Sequence, residues 1–278
     1  MNVRFSEYRP SFALSPFVQA YYTGDFNLCS EDNFVQSVVP NGCIELIIHL
    51  THDHCELFKS ETWGKSPEFT LIGLQTRPYE VKFHDMVQIF GIRFNPEGIY
   101  NIFGVSPALF TATFEDSSDV LGIAFKDYCS WLREAKSIQQ KIRLTEDFLL
   151  KKMSDNTKNH DYVRLASETI RKHQGMMTLE ELIQQVPISP RQLQREFKRR
   201  FGITAKEYMR LSRLNAIQHY MQGSEIINLT ELSYDAGFAD QSHFIREFRQ
   251  LAGTNPRSFL KHRENFLTLP VNLEQKSY

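Results

Sequence analysis

The stretch GFADQSHFIREFRQLAGTNPRSF, residues 237–259, decides the fold of the carboxy-terminal part of this 278-residue chain. Asp240 is a typical N-cap residue, and it stands directly before a helical pattern. Phe244, Phe248 and Leu251 recur at three- and four-residue spacing, which places them on one face of an α-helix. The stretch therefore predicts a short amphipathic helix that packs on a core through its aromatic side.

The residues before this helix predict a partner helix and a tight turn. A helical run at 229–236 follows the capping residue Asn228, and Gly237 stands where a helix-ending turn commonly needs a positive φ. Two short helices joined in this way are characteristic of a helix-turn-helix unit, whose second helix enters the major groove of DNA.

A second unit is predicted about fifty residues earlier, at SPRQLQREFKRRFGITAKEY, residues 189–208. Leu193, Phe197 and Phe201 recur at four-residue steps and predict a core-facing stripe. A short helical run precedes this helix, and the turn between them contains Pro187 and no glycine. The chain thus carries two candidate helix-turn-helix units.

The outer face of the first candidate reading helix is strongly cationic. Arg191, Arg195 and Arg199 form a row with Gln194 and Lys198 beside it. Arginine can donate twice to guanine and glutamine can pair with adenine, so these residues have the chemistry of major-groove recognition. An ordinary solvated helix face would explain either helix alone, but two such helices, each after a short helix and a turn, favour DNA binding.

The carboxy-terminal region is predicted to be all-helical. Thr178, Ser189 and Thr204 each stand three residues before a Glu or Gln, which is the capping-box spacing. Seven helices are predicted, at roughly 161–173, 179–185, 190–201, 205–221, 229–236, 241–251 and 256–262. The longest of them carries an apolar stripe and is predicted to act as a spacer that holds the reading helices about 34 Å apart, one turn of DNA.

Charge is distributed unevenly along the chain, although the formal net charge is only -1. Residues 160–263 contain 16 Lys and Arg against 11 Asp and Glu, whereas the rest contains 16 against 22. A basic domain beside an acidic one is consistent with nucleic-acid binding by the first. No run of eighteen apolar residues is present, so no membrane partner is expected.

The amino-terminal region is predicted to be a mainly β barrel or sandwich that helices close. Strand-like runs occur at 43–50, 69–74, 80–83 and 87–94. Helical patterns follow at 97–103, 107–110 and within 119–152. The polar stretch 154–159 has the composition of a linker. An α+β chain is predicted, with domains at 1–157 and 158–265 and a tail at 266–278.

Residues 231–263, ELSYDAGFADQSHFIREFRQLAGTNPRSFLKHR, resemble the DNA-binding domain of the AraC/XylS family of bacterial transcription regulators. The match includes Gly237 with Phe238, the aromatic pair Phe244 and Phe248, and the ending Gly253 with Pro256. The first unit, residues 177–217, resembles the more variable half of that domain. Fainter similarity to sensor-like domains of some members covers about residues 8–125.

This resemblance implies which residues read DNA. The base-facing positions are Arg191, Gln194 and Arg195, hereafter the first reading row, and Gln241, Ser242, His243 and Arg246, hereafter the second reading row. We further expect phosphate contacts from Lys198, Arg199, Lys206, Arg210 and Arg257.

The predicted function is that of a cytoplasmic, sequence-specific transcription regulator with no cofactor and no catalytic residue. Its partners would be double-stranded promoter DNA and, for an activator, RNA polymerase. The resemblance implies an amino-terminal domain that binds a small effector or mediates homodimerisation; a domain that only dimerises remains an open alternative.

A rival interpretation is a metal-dependent, cupin-like enzyme fused to a DNA-binding module. Histidine is a common metal ligand, and His49, His52 and His54, together with Glu56 or His84, are the candidate ligands. The same histidines also fit an exposed turn between strands.

The cysteines admit a second metal alternative. DNA-repair methyltransferase regulators join a four-cysteine zinc domain to this kind of DNA-binding unit, and this chain has Cys29, Cys43, Cys55 and Cys129. They contain no CxxC pair, however, and buried structural thiols in a reduced protein are favoured.

Overall fold

The computed structural model describes residues 2–27, 34–52, 54–59, 61–83, 86–154, 162–223 and 227–267. The strands within these ranges are β1 Asn2–Tyr8, β2 Val18–Asn27, β3 Phe34–Val38, β4 Ile44–His49, β5 Glu56–Lys59, β6 Thr62–Lys65, β7 Phe69–Ile72, β8 Tyr79–Phe83, β9 Met86–Phe94, β10 Phe114–Asp116 and β11 Phe266–Leu267. The helices are α1 Gly98–Phe103, α2 Ser117–Leu121, α3 Ile123–Glu134, α4 Ile138–Ser154, α5 Tyr162–Lys172, α6 Leu179–Gln185, α7 Pro190–Phe201, α8 Ala205–Gly223, α9 Leu229–Asp235, α10 Gln241–Ala252 and α11 Pro256–Lys261, with short 3-10 turns at Pro107–Leu109 and Arg263–Asn265.

The amino-terminal domain contains two sheets. Six strands form the first sheet in the order β1-β2-β9-β4-β7-β10, and five form the second in the order β11-β3-β8-β5-β6. An apolar layer lies between them, to which Tyr22 and Phe26 contribute from the first sheet and Leu57 and Phe83 from the second. The predicted barrel is wrong and the predicted sandwich is confirmed, because a barrel needs one closed ladder and these sheets are not joined edge to edge.

Helices cover the outer face of the first sheet, as predicted. Alternate residues of a strand point to opposite faces, and Leu46 and Ile92 point away from the second sheet into a core with Phe125, Tyr128 and Leu149 of α3 and α4. Both faces of the first sheet are therefore buried, which explains why β4 reads as an almost continuous apolar run.

The strands β4, β7, β8 and β9 lie where the sequence predicts them, but the flanking strands were not identified. β2 is the clearest case, because Gly24 and Asp25 have the composition of a turn. In the structure Gly24 continues the strand, and a Cβ atom there would lie 2.8 Å from the Phe26 ring. The glycine thus makes room for an aromatic side chain and does not turn the chain.

The carboxy-terminal domain contains the seven predicted helices, α5 to α11, each within two residues of its predicted bounds. The capping residues explain this agreement. Thr178 and Glu181 form the reciprocal capping box at α6, with distances of 2.7 and 3.2 Å. Asp240 accepts a hydrogen bond from the backbone N–H of His243 at 2.7 Å and opens α10.

The two domains are connected by a pair of hydrogen-bonded strands as well as by the covalent chain. β11, at the start of the predicted tail, pairs in parallel with β3, and the Gln36 side chain donates to the Glu264 carbonyl at 2.9 Å. α4 ends at Ser154; the rest of the predicted linker, the boundary near residue 157 and residues 268–278 lie outside the described residues. The predicted domain bounds remain predictions.

We expect Gly91→Ala to destabilise the amino-terminal domain. A Cβ atom at Gly91 would lie 2.0 Å from Cζ of the buried Tyr22 ring, which packs across β9. Overpacking of this kind costs about 1–3 kcal/mol, measured as a loss in the free energy of unfolding in urea. Gly64→Ala is the control, because no atom lies within 4 Å of its Cβ position. Equal losses in the two variants would contradict this packing of Tyr22 on β9.

Candidate nucleic-acid interface

The first helix-turn-helix unit consists of α6 and α7. Ser189 accepts a hydrogen bond from the backbone N–H of Gln192 at 3.3 Å. Pro190 fills the first helical position, where a missing N–H costs nothing. Leu193, Phe197 and Phe201 are buried, as the spacing predicts. The opposite side of α7 consequently faces solvent and carries the first reading row.

All three residues of the first reading row are exposed. They lie on the amino-terminal half of α7, which is the part of a recognition helix that contacts base edges. The side chain of Arg195 is 73% exposed, and its nearest carboxylate is that of Glu196 at 3.6 Å. These arginine and glutamine side chains are thus accessible for contact with DNA.

The second unit consists of α9 and α10 and closely follows the first. Gly237 between the helices has φ +74°, the left-handed conformation that the sequence predicts. Within the second reading row, Ser242, His243 and Arg246 are exposed and Gln241 is half-buried. Gln241 lines a shallow surface groove of about 530 Å³ together with Arg257 and Lys261. A candidate base-reading residue and a candidate phosphate-binding residue therefore share one surface.

The spacer helix α8 holds the two units together. It contains 19 residues. At a rise of about 1.5 Å per residue it spans about 28 Å. The Arg213 side chain on α8 donates to the Gly175 carbonyl at 2.9 Å and lies 5.1 Å from the Phe238 ring, in the turn of the second unit. Arg210 pairs with Glu247 at 3.2 Å and so joins α8 to α10. The spacer was predictable from the sequence, but these contacts were not.

The candidate phosphate contacts fall into two groups. Lys198, Lys206 and Arg257 are exposed on the same domain, and Lys198 lies 3.8 Å from the Glu207 carboxylate of α8. Arg199 and Arg210 have closer partners: Arg199 donates to the Tyr100 hydroxyl at 2.7 Å, and Arg210 donates to Gln250 at 2.6 Å. These two arginines would have to exchange protein partners for phosphate oxygens in order to bind DNA.

Glu196 fixes the arginines at the end of α7. It accepts hydrogen bonds from Arg199 and from Arg200, the latter at 3.2 Å. Partial burial alone would raise the pKa of Glu196, but the hydrogen bonds and charges of these arginines outweigh it and place the pKa below its usual value. The carboxylate therefore stays ionised at neutral pH and holds both cations beside it on α7.

The amino-terminal domain contacts the carboxyl ends of both reading helices. α7 ends at Gly202 and α10 ends at Gly253, both with positive φ. A Cβ atom at Gly202 would lie 1.7 Å from the Thr111 hydroxyl, and one at Gly253 would lie 2.8 Å from the Pro78 ring. The reading rows lie at the other ends of these helices and are left uncovered.

A buried ion pair lies in the domain interface. Glu97, just before α1, is fully buried, and its carboxylate accepts hydrogen bonds from Arg171 of α5 at 2.9 and 3.2 Å. It also accepts a hydrogen bond from Ser167 at 2.7 Å, and Arg171 donates to the Tyr208 hydroxyl of α8 at 3.2 Å. Glu97 and Arg171 lie far apart in the sequence, so no local pattern connects them.

Two cavities lined by described residues bear on ligand binding. The first, between the sheets of the amino-terminal domain, has a volume of about 50 Å³, is lined by aromatic side chains and His49, and has Leu267 of β11 in its wall. It is large enough for a few water molecules. The second lies between the domains and has a volume of about 450 Å³. This volume is within the range of small-molecule sites, about 300–1,000 Å³.

The histidines of the metal alternative do not form a shared site in the described part of the chain. The rings of His49 and His54 stack at 4.5 Å, and His49 Nδ1 lies 3.2 Å from the Glu68 carbonyl. Glu56 forms an ion pair with Lys82 at 3.0 Å. Within the described ranges no three His, Cys, Asp or Glu side chains are placed to hold a metal ion; His84 lies outside them.

Cys43, Cys55 and Cys129 are buried free thiols, and Cys29 lies outside the described residues. Burial raises the pKa of Cys55 to about 11, although its hydrogen bond with Ser66 lowers it. This thiol is consequently protonated at neutral pH and packs as a small apolar group. None of the described helices combines the length and hydropathy that crossing a membrane requires.

Comparison with known proteins assigns both regions to families. A family model described as "Helix-turn-helix domain" matches residues 182–262, and one described as "Domain of unknown function (DUF6597)" matches residues 6–116. The HTH-type transcriptional activator RhaS of Escherichia coli strain SE11 is 33% identical over 84 residues, which is 30% of this chain and 30% of RhaS. The chain thus spans less than a third of the length of these curated relatives.

Solved structures resemble the whole two-domain arrangement. ToxT from Vibrio cholerae superposes with a TM-score of 0.51 at 10% identity, over 87% of this chain and 98% of ToxT. ToxT of V. cholerae O395 bound to (E)-4-(8-methylnaphthalen-1-yl)but-3-enoic acid gives a TM-score of 0.50 at 12% identity, over the same fractions. At these identities the likeness shows a shared fold.

Two helix-turn-helix units on one spacer helix, attached to a β-rich domain, define a DNA-binding protein of the double helix-turn-helix class. Residues 182–262 thus belong to the helix-turn-helix family, and they lie in the part of the sequence that resembles AraC/XylS regulators.

We expect Arg171→Met to lower the free energy of unfolding by about 3–5 kcal/mol, because it leaves the buried Glu97 carboxylate without its cation. Arg164→Met is the matched control on the same helix, since its ion pair with Glu168 is exposed. Exposed pairs of this spacing contribute only about 0.5 kcal/mol. Urea unfolding of the full chain measures both. Similar losses for the two variants would show that the Glu97 pair does not hold the interface.

We expect His49 to make the stability of the amino-terminal domain sensitive to acid. Burial, followed by the charges of His54 and Arg133, lowers the pKa of His49 from 6.5 to about 4. Between pH 6.5 and pH 4 the unfolded chain therefore binds more protons at this position than the folded chain does. The free energy of unfolding that is present at neutral pH is consequently lost as the pH falls from about 6.5 to about 4. The loss is up to about 3 kcal/mol.

His49→Gln should flatten this pH dependence, measured as urea unfolding at a series of pH values. The exposed His52 provides the control, and His52→Gln should leave the slope unchanged. If both variants retain the slope of the original chain, His49 is not the group responsible.

Proposed function

We propose that this protein is a sequence-specific transcription regulator that places α7 and α10 in successive major grooves of promoter DNA. One observation carries the proposal: every residue of the two reading rows except the half-buried Gln241 is exposed, on the amino-terminal halves of α7 and α10, while the opposite helix ends pack against the other domain. A single chain with two reading helices on one spacer can bind a site that lacks twofold symmetry. Because the curated relatives share only the DNA-binding part, the activity of the whole chain is a proposal.

The reading rows supply specificity in this proposal. Arg191, Arg195 and Arg246 can donate two hydrogen bonds to guanine, and Gln194 and Gln241 can pair with adenine. Ser242 and His243 have side chains that donate and accept, and they lie beside them at the start of α10.

The phosphate contacts supply affinity. Lys198, Lys206 and Arg257 are the exposed candidates, and Arg257 shares its groove with Gln241. Arg199 and Arg210 would join them after leaving Tyr100 and Gln250. Each phosphate neutralised releases counterions, so DNA binding should weaken steeply with salt.

The amino-terminal domain would regulate DNA binding through a small effector or through homodimerisation. ToxT binds an organic acid in one of the similar structures, which supports a ligand-binding role for the domain here. RhaS is a transcriptional activator, and an activating role for this chain would require contact with RNA polymerase.

The test begins with selection of bound duplexes from a random pool by the full chain, which should enrich a defined site. Arg195→Ala should then lose about 1–3 kcal/mol of binding at the selected site, about 5- to 150-fold, with little change on random DNA. Lys198→Ala should weaken binding to selected and random DNA by the same factor and reduce the salt slope by about one. Fluorescence anisotropy at several salt concentrations measures both effects.

Arg164→Ala, at a half-buried position on α5 outside both reading rows, is the control and should bind as the original chain does. Failure of selection to enrich any sequence would contradict the proposed function. An equal loss on selected and random DNA in Arg195→Ala would contradict a base contact by that residue.

A further inference from the structure

The cavity of about 450 Å³ between the domains is built from both of them. Gln19, Asn41 and Asn95 contribute from the amino-terminal domain. From the DNA-binding domain, Tyr208, Ser212, Asn215 and His219 follow one another at three- and four-residue spacing, so they lie on one face of α8. The wall of this cavity is therefore the same spacer helix that joins the two helix-turn-helix units.

The lining of the cavity has many hydrogen-bonding groups and little available charge. Arg171 is the one fully charged side chain among the described lining residues, and the Glu97 carboxylate already neutralises it through two hydrogen bonds. Burial, together with the positive charge of Arg93, lowers the pKa of His219, so this imidazole is neutral at physiological pH. An anion would therefore find no free cation among these residues.

Several polar groups in the cavity are available for a ligand. The side chains of Gln174, Ser212 and Asn215 make no hydrogen bond to any other residue in the described part of the chain. An apolar ligand would remove these amides and this hydroxyl from water without replacing their hydrogen bonds, at a cost of about 1–3 kcal/mol for each group. The lining thus disfavours both anions and hydrocarbon chains.

We propose that this cavity binds an uncharged small molecule carrying several hydroxyl or amide groups, and that this molecule is the effector. The role of this molecule as an effector rests on the proposed function, whereas its binding to the cavity does not. A ligand that contacts Asn41 on one side and Asn215 on the other bridges the domains, so it stabilises their docked arrangement. It can shift the equilibrium toward that arrangement because it binds the separated domains less well.

Binding is tested on the full chain by thermal shift and calorimetry. The probes are neutral hexoses, hexitols and nucleosides; glucuronate and palmitoleate represent an anionic polar ligand and an anionic apolar one. We expect at least one neutral probe to give a saturable rise in melting temperature, because a ligand of the folded state stabilises it by mass action. No saturable binding by any neutral probe, or tighter binding of glucuronate or palmitoleate, would overturn the proposal.

Two variants locate the site. Asn215→Ala should weaken binding of the neutral probe by about 3- to 10-fold, the effect of one hydrogen bond between uncharged groups. Ala216→Phe should fill part of the cavity and abolish binding, and both positions are half-buried, so the melting temperature without ligand should change little. Gln140→Ala, at an exposed position on α4 outside the cavity lining, is the control. Binding that survives both Asn215→Ala and Ala216→Phe would place the ligand elsewhere and refute the assigned site.

DNA binding of the same proteins separates this proposal from the proposed function. If the neutral probe binds the cavity and alters affinity for the selected duplex, both proposals are supported. Probe binding without any specific DNA binding would contradict the proposed function alone. Specific DNA binding that the bound probe does not change would contradict the role of the molecule as an effector.

Discussion

The arrangement of the two domains depends on the carboxylate of Glu97, which has no exposed surface. A carboxylate removed from water needs charged and hydrogen-bonding partners, and here these are Arg171 and Ser167 of the other domain. Through the bond of Arg171 to Tyr208, the network continues to α8. If the domains separated, these polar atoms would lose their partners and would have to be hydrated by water instead. The orientation of the DNA-binding domain is therefore linked to whether the ion pair of Glu97 and Arg171 is formed.

The same interface reaches the reading helices through their glycine caps. A helix that ends in a left-handed residue commonly has glycine there, and Gly202 and Gly253 meet this need. Each glycine also lacks the Cβ atom that would collide with Thr111 or Pro78. At each of these two positions, glycine therefore both ends a reading helix and allows that helix to pack against the amino-terminal domain. Since the contacts lie at the ends opposite the reading rows, regulation would act on the relative positions of α7 and α10 without covering them.

Local chemistry explains why the carboxy-terminal domain could be predicted from the sequence and much of the rest could not. Capping residues such as Thr178 and Asp240 act within three positions of themselves, and the boundaries they predict are correct. The pairing of β2 with β9 is nonlocal, and Gly24 within it resembles a turn residue until its contact with Phe26 is known. For the same reason the buried faces of α7 and α10 were predictable, whereas the partnership of Glu97 with Arg171 was not.

The position of a ligand site determines what a ligand can regulate. A molecule inside one rigid domain changes nothing elsewhere unless that domain alters its shape, because an equilibrium shifts only by the difference in affinity between two states. The cavity between the sheets does have a link to the DNA-binding domain. Leu267 of β11 forms part of its wall, and the neighbouring Phe266 ring lies 4.6 Å from the Phe259 ring of α11. At about 50 Å³, however, it would have to expand around an ordinary ligand. The cavity between the domains needs no expansion. Separating the domains would part the two sets of residues that line it, so the difference in affinity follows from where the site lies.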